Sequence, residues 1–193
     1  MSRKTRKRGR RRLLVIVVLL ALIVLSPLLA ITALAVKLDS NGPAIFKQQR
    51  LGLHGKTFWI YKFRSMCQGA EHTGTGVYSG ADDMRVTRVG KLLRATSIDE
   101  LPQLVNILKG DMSIVGPRPP LPKEVAQYSD WDWGRLAVRP GLTCYWQVSG
   151  RSNLSFDEWM RLDLKYIEEQ GLWTDLRIIA RTVGVVLRGD GAY

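Results

Sequence analysis

The strongest hydrophobic pattern in the chain is a run of 24 residues without a charge, from Leu13 to Val36. A helix of that length covers about 36 Å, which exceeds the ~30 Å hydrocarbon core of a bilayer. Near its middle, Pro27 lacks a backbone N–H and favours a kink, and the hydroxyl of Ser26 can bond the carbonyl left free. The run alone fits a kinked spanning helix best. A signal peptide and a re-entrant helix that returns to the same membrane face are the alternatives.

After residue 40 the pattern changes to short alternating stretches that are separated by glycine. Residues 44–66 predict two strands around a turn at Gly52–Gly55, with Lys62 and Arg64 on one face of the second strand. Residues 67–84 hold four glycines and alternate little, so we predict a mobile loop there.

Three later segments have the periodicity of helices. The first begins at Ser97 or Asp99, which are alternative N-caps, and ends at Gly110. Its apolar stripe consists of Leu101, Leu104, Val105 and Leu108. The other two are 156–169 and 172–188. The last has a broad apolar face bordered by arginines, which suits a core helix or a helix in a membrane interface.

Short strands are also predicted at 112–115 and within 138–151, on either side of a rigid proline-rich turn at 116–122. These elements predict an α+β fold, in which a membrane helix precedes a small domain of mixed helices and short strands.

The net charge of +12 is concentrated near the N-terminus. Residues 3–12 hold eight basic residues and no acid, and the rest of the chain has a net charge of only +4. Such a segment binds anionic lipid headgroups or nucleic acid. Because it directly precedes the apolar run and no nucleic-acid-binding motif is present, we favour lipid.

Cysteine and histidine are too few to suggest a disulfide framework or a zinc site. There are two of each, Cys67 and Cys144 with His54 and His72, and their spacing fits no zinc motif. A single disulfide stays open, and a reducing compartment is the simpler interpretation. Any metal is expected to be a hard, oxygen-bound ion such as Mg²⁺.

The candidate chemistry centres on the adjacent acids Asp99 and Glu100. Acids in a first helical turn are common simply because they complement the helix dipole. Here, however, many basic residues accompany the pair. Arg85, Arg88, Lys91 and Arg94 precede it at three-residue spacing. Others lie on a predicted strand or at rigid turns, namely Lys62, Arg64, Arg118, Arg139 and Arg151. A diphosphate substrate accounts for the arrangement, because guanidinium groups bind phosphate oxygens in pairs. A carboxylate can then ligate Mg²⁺ or attack phosphorus, and nearby cations are expected to keep Asp99 ionised.

Several stretches together resemble one known family. They are "KFRSM" (62–66), "RVTRVGKLLRATSIDELPQLVNILKGDMSIVGPRP" (85–119), "RPGLTCYWQVSGR" (139–151), "LDLKYIE" (162–168) and "DLRIIARTV" (175–183). In these the chain resembles the bacterial sugar transferases, monotopic phosphoglycosyl transferases that load a sugar phosphate onto a polyprenyl phosphate. The resemblance runs from about residue 13 to the C-terminus and is to the short form that consists of the catalytic core.

The resemblance implies a role for each matched residue. Asp99 is the nucleophile that attacks the β-phosphate of a nucleotide-diphosphate sugar, usually a UDP-sugar, and it touches the required Mg²⁺. Glu100 supports the metal or proton transfer. UMP leaves, and undecaprenyl phosphate then takes the sugar phosphate from the aspartyl intermediate. The implied contacts to the substrate's phosphates or nucleotide are Lys62, Arg64, Arg94, Arg118 and Arg151.

The resemblance also implies a membrane arrangement. Family members carry a re-entrant helix that is broken at a Ser-Pro pair, here Ser26-Pro27 in the helix 13–36. The basic tail 1–12 and the catalytic domain 37–193 then both lie on the cytoplasmic face of the bacterial inner membrane. The amphipathic helix 172–188 is expected in the interface, at the depth of a lipid phosphate.

The expected partners are a UDP-sugar, undecaprenyl phosphate and anionic membrane lipids, without nucleic acid. Downstream glycosyltransferases and a homodimer stay open, and the product would initiate a surface polysaccharide such as capsule or exopolysaccharide. Cys144 stands where the family often has glycine, so the local turn is expected to differ. The rival interpretations are a membrane-tethered nucleic-acid binder and a non-catalytic scaffold, and the intact acid pair argues against the scaffold.

Overall fold

The computed structural model describes residues 3–70, 83–150 and 154–188. The helices in these ranges are α1 (Arg3–Asp39), α2 (Arg88–Thr96), α3 (Leu104–Lys109), α4 (Pro122–Val125), α5 (Asp130–Trp133), α6 (Phe156–Glu169) and α7 (Leu172–Arg188). The strands are β1 (Ile45–Leu51), β2 (Thr57–Phe63), β3 (Ser113–Val115) and β4 (Gly141–Thr143). Short 3-10 segments occur at Leu53–Gly55, Ile98–Gln103, Gly134–Ala137 and Trp146–Val148. The predicted mixture of helices and short strands is confirmed.

The helix α1 begins within the basic tail, and its helical structure continues through Pro27. Pro27 has no N–H for the carbonyl of Ile23, four residues earlier, and the hydroxyl of Ser26 donates to that oxygen at 2.7 Å. Within the described residues, Arg11–Asp39 is the one segment long and apolar enough to cross a membrane. The re-entrant turn at Ser26-Pro27 stays a prediction.

Both halves of α1 pack against the globular part of the chain. In the first half, Val18 is 1% exposed and joins a core cluster with Phe58 of β2 and Leu104 of α3. In the second half, Val36 is 2% exposed and packs with Phe63 at the end of β2. The other side of α1 is apolar and exposed at Leu13, Ile16, Val17, Leu19, Leu20, Ile23, Val24, Leu28, Ile31, Leu34 and Leu38. That exposed side needs an apolar environment.

The predicted hairpin is confirmed, because β1 and β2 pair in antiparallel register around the turn at Leu53–Gly55. A buried asparagine ties the hairpin to α3. The side-chain amide of Asn106 accepts from the N–H of Tyr61 at 3.1 Å and donates to the carbonyl of Trp59 at 2.7 Å. These bonds fix β2 against the segment that carries the acid pair.

The helix predicted to start at Ser97 or Asp99 starts later, at Leu104. The intervening residues Ile98–Gln103, with Pro102 among them, form a 3-10 segment. Ser97 makes no side-chain cap and has a φ of 56°, so it turns the chain sharply between α2 and this segment. Both predicted N-caps are therefore wrong, and the acids lie in a tight turn of their own.

This shorter helix changes which residues face the core. A 3-10 segment has about three residues per turn, so the apolar stripe predicted from an α-helical spacing is out of phase. Val105 is 38% exposed, whereas Ile107 is 3% exposed and lies in the core. Gly110 ends α3 with a φ of 85°, as predicted.

The strands β3 and β4 form a short parallel pair that brings two loops together. Beyond β3, Gly116 meets Gly141 so closely that a Cβ on Gly141 would lie 2.1 Å from the backbone nitrogen of Gly116. Only glycine fits at Gly141. The close approach places the proline-rich turn beside the loop that follows β4.

The predicted bounds of the last two helices are confirmed. Ile178 of α7 is fully buried against Val115 and Tyr166. The predicted apolar face of α7 is instead largely exposed, at Leu172, Trp173, Leu176 and Val183. Most of this face does not serve as a core surface.

Cys67 and Cys144 are both free thiols, the first exposed and the second buried. Cys144 does not have a positive φ, so its turn does not need glycine. Most of the loop predicted at 67–84 lies outside the described residues.

Candidate active site

A cleft lies between the hairpin, the acid-bearing 3-10 segment, the proline-rich turn and the loop after β4. Its space, including the open mouth, is about 310 Å³. The charged and amide side chains that line it are Arg50, Lys62, Glu100, Gln103, Arg118 and Gln147. The fold therefore brings together three of the residues assigned from the sequence, two cations and one acid.

Glu100 is held at the wall of the cleft by two neighbours. Lys62 Nζ lies 2.6 Å from Glu100 Oε1, and Gln147 donates to Glu100 Oε2 at 3.4 Å. The side chains of Lys62 and Glu100 are only 19% and 17% exposed, so this ion pair is poorly screened by water. The orientation of Glu100 is thereby restrained from both sides.

Asp99 directly precedes Glu100 in the chain and is 8% exposed, and its side chain is not part of the lining of the cleft. Burial is the main cause that raises the pKa of Asp99 to about 6, and the charge of Glu100 adds to it. Lys62 and Arg94 lower the pKa, as the sequence led us to expect, but burial outweighs them. A carboxylate in this setting gains from a further cation.

Two arginines also line the cleft. The guanidinium carbon of Arg118 lies 5.5 Å from the ring centroid of Trp146, which is a stacked cation–π arrangement. Arg50 lines the same cleft, and burial, followed by repulsion from Arg118, lowers the pKa of Arg50 to about 9. Arg50 was not among the site residues expected from the sequence. Its place on the inward face of a predicted strand was the feature that could have indicated a role in the site.

A second buried ion pair supports the proline-rich turn from behind. Arg135 and Asp163 are each 0% exposed at their side chains and lie 2.5 Å apart. Arg135 also donates to the carbonyl of Arg118 at 2.9 Å and packs on the ring of Trp159. This pair, also missed from the sequence, orients the backbone that carries Arg118.

The structure does not bring Arg64 to the cleft. Its Nη2 donates to the carbonyls of Val36 and Ser40, at 3.3 and 2.6 Å. Arg64 therefore holds the C-terminal end of α1, where carbonyls lack helical partners. Its predicted phosphate contact is not supported by this position.

Arg94 and Arg151 differ in what the structure describes. Arg94 donates from Nε to Ser65 Oγ at 3.0 Å and lies close enough to Asp99 to lower its pKa. Arg151 lies outside the described residues. The phosphate contacts of both stay predictions.

The acid pair fits a magnesium ion that is shared with a substrate. Among the residues that the structure describes, no three acidic, histidine or cysteine side chains form a metal-binding group. Mg²⁺ does not need such a group, because it commonly binds one or two carboxylates together with substrate phosphates. The buried carboxylate of Asp99 and the neighbouring carboxylate of Glu100, which lines the cleft, are therefore residues that could hold Mg²⁺.

The chain is similar to several known proteins. Residues 5–189 match the family model described as bacterial sugar transferase. The galactosyl transferase CpsE of Streptococcus agalactiae is 48% identical over 79% of this chain. The undecaprenyl-phosphate galactose phosphotransferase of Salmonella typhimurium is 42% identical over 91%. The UDP-glucose:undecaprenyl-phosphate glucose-1-phosphate transferase of Caulobacter vibrioides is 47% identical over 87%. The chain belongs to the bacterial sugar transferase family.

These relatives differ from the chain in length. The aligned region covers 36% of the Streptococcus protein, 40% of the Salmonella protein and 66% of the Caulobacter protein. The chain thus corresponds to about two fifths of the first two relatives.

Proposed function

We propose that the chain transfers a sugar 1-phosphate from a UDP-sugar to undecaprenyl phosphate and releases UMP. The observation that carries the proposal is the cleft, where Glu100, which directly follows Asp99 in the chain, shares the lining with Lys62 and with the guanidinium groups of Arg50 and Arg118. This arrangement suits a diphosphate, because the guanidinium groups bind its charge while a carboxylate reaches one phosphorus. The names of the Salmonella and Caulobacter relatives support the two substrates.

The reaction proceeds in two displacements at one phosphorus atom. An oxygen of Asp99 attacks the β-phosphorus, the bond from that phosphorus to the bridging oxygen breaks, and the bridging oxygen leaves with UMP. A phosphate oxygen of the lipid acceptor then attacks the same phosphorus, and the bond to Asp99 breaks. The carboxylate of Asp99 is regenerated, and the sugar ends on a lipid diphosphate.

Other residues prepare Asp99 and the phosphates for these steps. Lys62 lowers the pKa of Asp99 and orients Glu100, so it favours the ionised nucleophile. Arg118 donates to phosphate oxygens from the turn that Arg135 holds in place. A magnesium ion held by Asp99 and the diphosphate would supply further positive charge to the phosphate oxygens.

The same proposal places the protein on the cytoplasmic face of the bacterial inner membrane, where it would initiate a surface polysaccharide. Both halves of α1 pack on the globular part, so a re-entrant helix keeps both flanks of Ser26-Pro27 on one side. The exposed apolar face of α7, with Arg177 and Arg181 beside it, suits the interface, and the tail 3–12 suits anionic lipids.

The catalytic proposal is tested by UMP release from membranes that contain undecaprenyl phosphate, Mg²⁺ and a panel of UDP-sugars. We expect release with the unaltered chain, loss with Asp99→Asn, and normal release with the control Asp130→Asn, which alters an exposed acid on α5. Unchanged release in Asp99→Asn would rule out this nucleophile. No release with any donor would favour the scaffold or nucleic-acid-binding alternatives.

The membrane proposal is tested by cysteine labelling. Leu38, near the end of α1, is 80% exposed, so Leu38→Cys in a Cys67→Ser background gives a reactive site. We expect a membrane-impermeant thiol reagent to label it only in inverted vesicles. Labelling in intact spheroplasts would contradict a re-entrant helix.

A further inference from the structure

Arg50 combines burial, a place on the cleft and spare hydrogen-bond donors, as ligand-binding arginines do. It is 8% exposed, lines the cleft and stands at the inward-facing end of β1. Nη1 donates to the carbonyl of Pro119 at 3.0 Å, Nη2 donates to Gln48 Oε1 at 2.6 Å, and Nε is buried without a partner. Because a guanidinium group has five N–H donors, several stay available for a ligand.

The charge of Arg50 is only partly compensated. Arg118 repels it more than either Glu124 or Glu100 attracts it, and within the described ranges neither arginine lies within ion-pair distance of a carboxylate. Two guanidinium groups in one poorly solvated cleft are unfavourable unless an anion lies between them. The bidentate geometry of guanidinium groups makes a phosphate the best candidate for that anion.

We propose that Arg50 and Arg118 together bind the phosphate of the departing nucleotide, so that Arg50 is a further catalytic residue of this site. This inference rests on the proposed function. When the bond between the β-phosphorus and the bridging oxygen breaks, its electron pair stays on that oxygen, which becomes a terminal oxygen of UMP. Hydrogen bonds from Arg50 and Arg118 stabilise this added charge, and no proton transfer is needed.

Hydrogen bonds divide the cations of the site into two groups. Lys62 bonds to Glu100 at 2.6 Å, next to Asp99 in the chain, so the phosphate that Asp99 attacks lies near Lys62. Arg50 bonds instead to the carbonyl of Pro119 at 3.0 Å, next to Arg118 in the chain. The phosphate at the two arginines is therefore the neighbouring one, which leaves.

Arg50 also has a structural role from which this function must be separated. Its bond to Pro119 ties β1 to the proline-rich turn, but the backbone of Leu51 independently donates to the carbonyl of Pro120 at 3.0 Å. The turn therefore retains one link to β1 when Arg50 is replaced. If Arg50 had only a structural role, its replacement would change stability and would affect the binding of UMP and of uridine alike.

The test compares binding of UMP and of uridine to the full-length chain in nanodiscs. We expect Arg50→Gln to weaken UMP binding about 10- to 100-fold, as loss of charge-assisted hydrogen bonds predicts, and to leave uridine binding unchanged. Arg50→Lys should recover part of the affinity because it keeps the charge. The control Arg139→Gln removes an exposed arginine that donates to the carbonyl of Gly110, and should match the unaltered chain. A folded Arg50→Gln variant that binds UMP normally would overturn the inference.

If Arg50→Gln does not fold, a structure of the unaltered chain with UMP gives the same answer. We expect the phosphate within hydrogen-bond distance of both Arg50 and Arg118, and a phosphate that contacts only Arg118 would overturn the inference. These measurements need no turnover. If the unaltered chain releases UMP and Arg50→Gln binds UMP normally, the inference alone is refuted. If UMP binds at Arg50 but the chain releases no UMP from any donor, the proposed function alone is refuted.

Discussion

Replacement of Asp163 by Asn tests whether the pair behind the cleft supports both the fold and the site. The change keeps the shape of the side chain and removes its charge, which leaves Arg135 without its counter-ion at full burial. At an effective dielectric of about 20, two unit charges at the observed 2.5 Å attract by about 6–7 kcal/mol before desolvation is counted. Removing one partner of such a pair costs about 3–5 kcal/mol net.

For a chain of this size, that loss lowers the melting temperature by about 6–20 °C. The assay is thermal unfolding in detergent, followed by the KM for the UDP-sugar, which should rise because Arg135 positions the carbonyl of Arg118. The control is Lys165→Met on the same helix, whose ion pair with Glu169 is long and exposed and contributes less than about 1 kcal/mol. A melting temperature for Asp163→Asn equal to that of Lys165→Met would refute the reasoning.

Further predictions concern packing, pH and metal. Gly90→Ala should lower the melting temperature by about 2–12 °C, since its Cβ would lie 2.0 Å from the carbonyl oxygen of Ser65. The control Gly171→Ala should have little effect, because the atom nearest to its Cβ is 3.8 Å away. Equal melting temperatures would contradict this. Lys62→Gln should raise the pKa of Asp99 further, because Lys62 lowers it in the unaltered chain. As the pH is lowered, the variant should therefore lose UMP release at a higher pH than the unaltered chain. An acid limb of the pH–rate profile at the same pH in both would contradict this. Removal of Mg²⁺ by EDTA should abolish UMP release and its re-addition restore it, so full activity in EDTA would exclude a metal requirement.

The parts of the fold that follow local rules could be predicted from the sequence. The hairpin and the last two helices have the expected bounds, because alternation, helical periodicity and glycine turns there agree with the tertiary packing. The bond from Ser26 to the carbonyl freed by Pro27 was also predictable, since it depends only on neighbours in one helix. Of the residues that line the cleft, Lys62, Glu100 and Arg118 could be named from the sequence because they belong to continuous motifs.

The remaining features depend on contacts between distant segments. The acids lie in a 3-10 turn and not at the start of an α-helix, because Asn106 and the positive φ of Ser97 fix that turn against β2. Arg64 resembles Lys62 in sequence, but it turns to the end of α1. Arg50 became a candidate only when folding brought it to the same cleft as Arg118.

The most direct measurement of the central claim is the intact mass of the chain after incubation with Mg²⁺ and a UDP-sugar in the absence of lipid acceptor. We predict a mass increase equal to one covalently bound sugar phosphate, located at Asp99 by peptide mapping, and its disappearance when undecaprenyl phosphate is added. UMP release by a chain that stays unmodified, or that carries the sugar phosphate on another residue, would contradict the account.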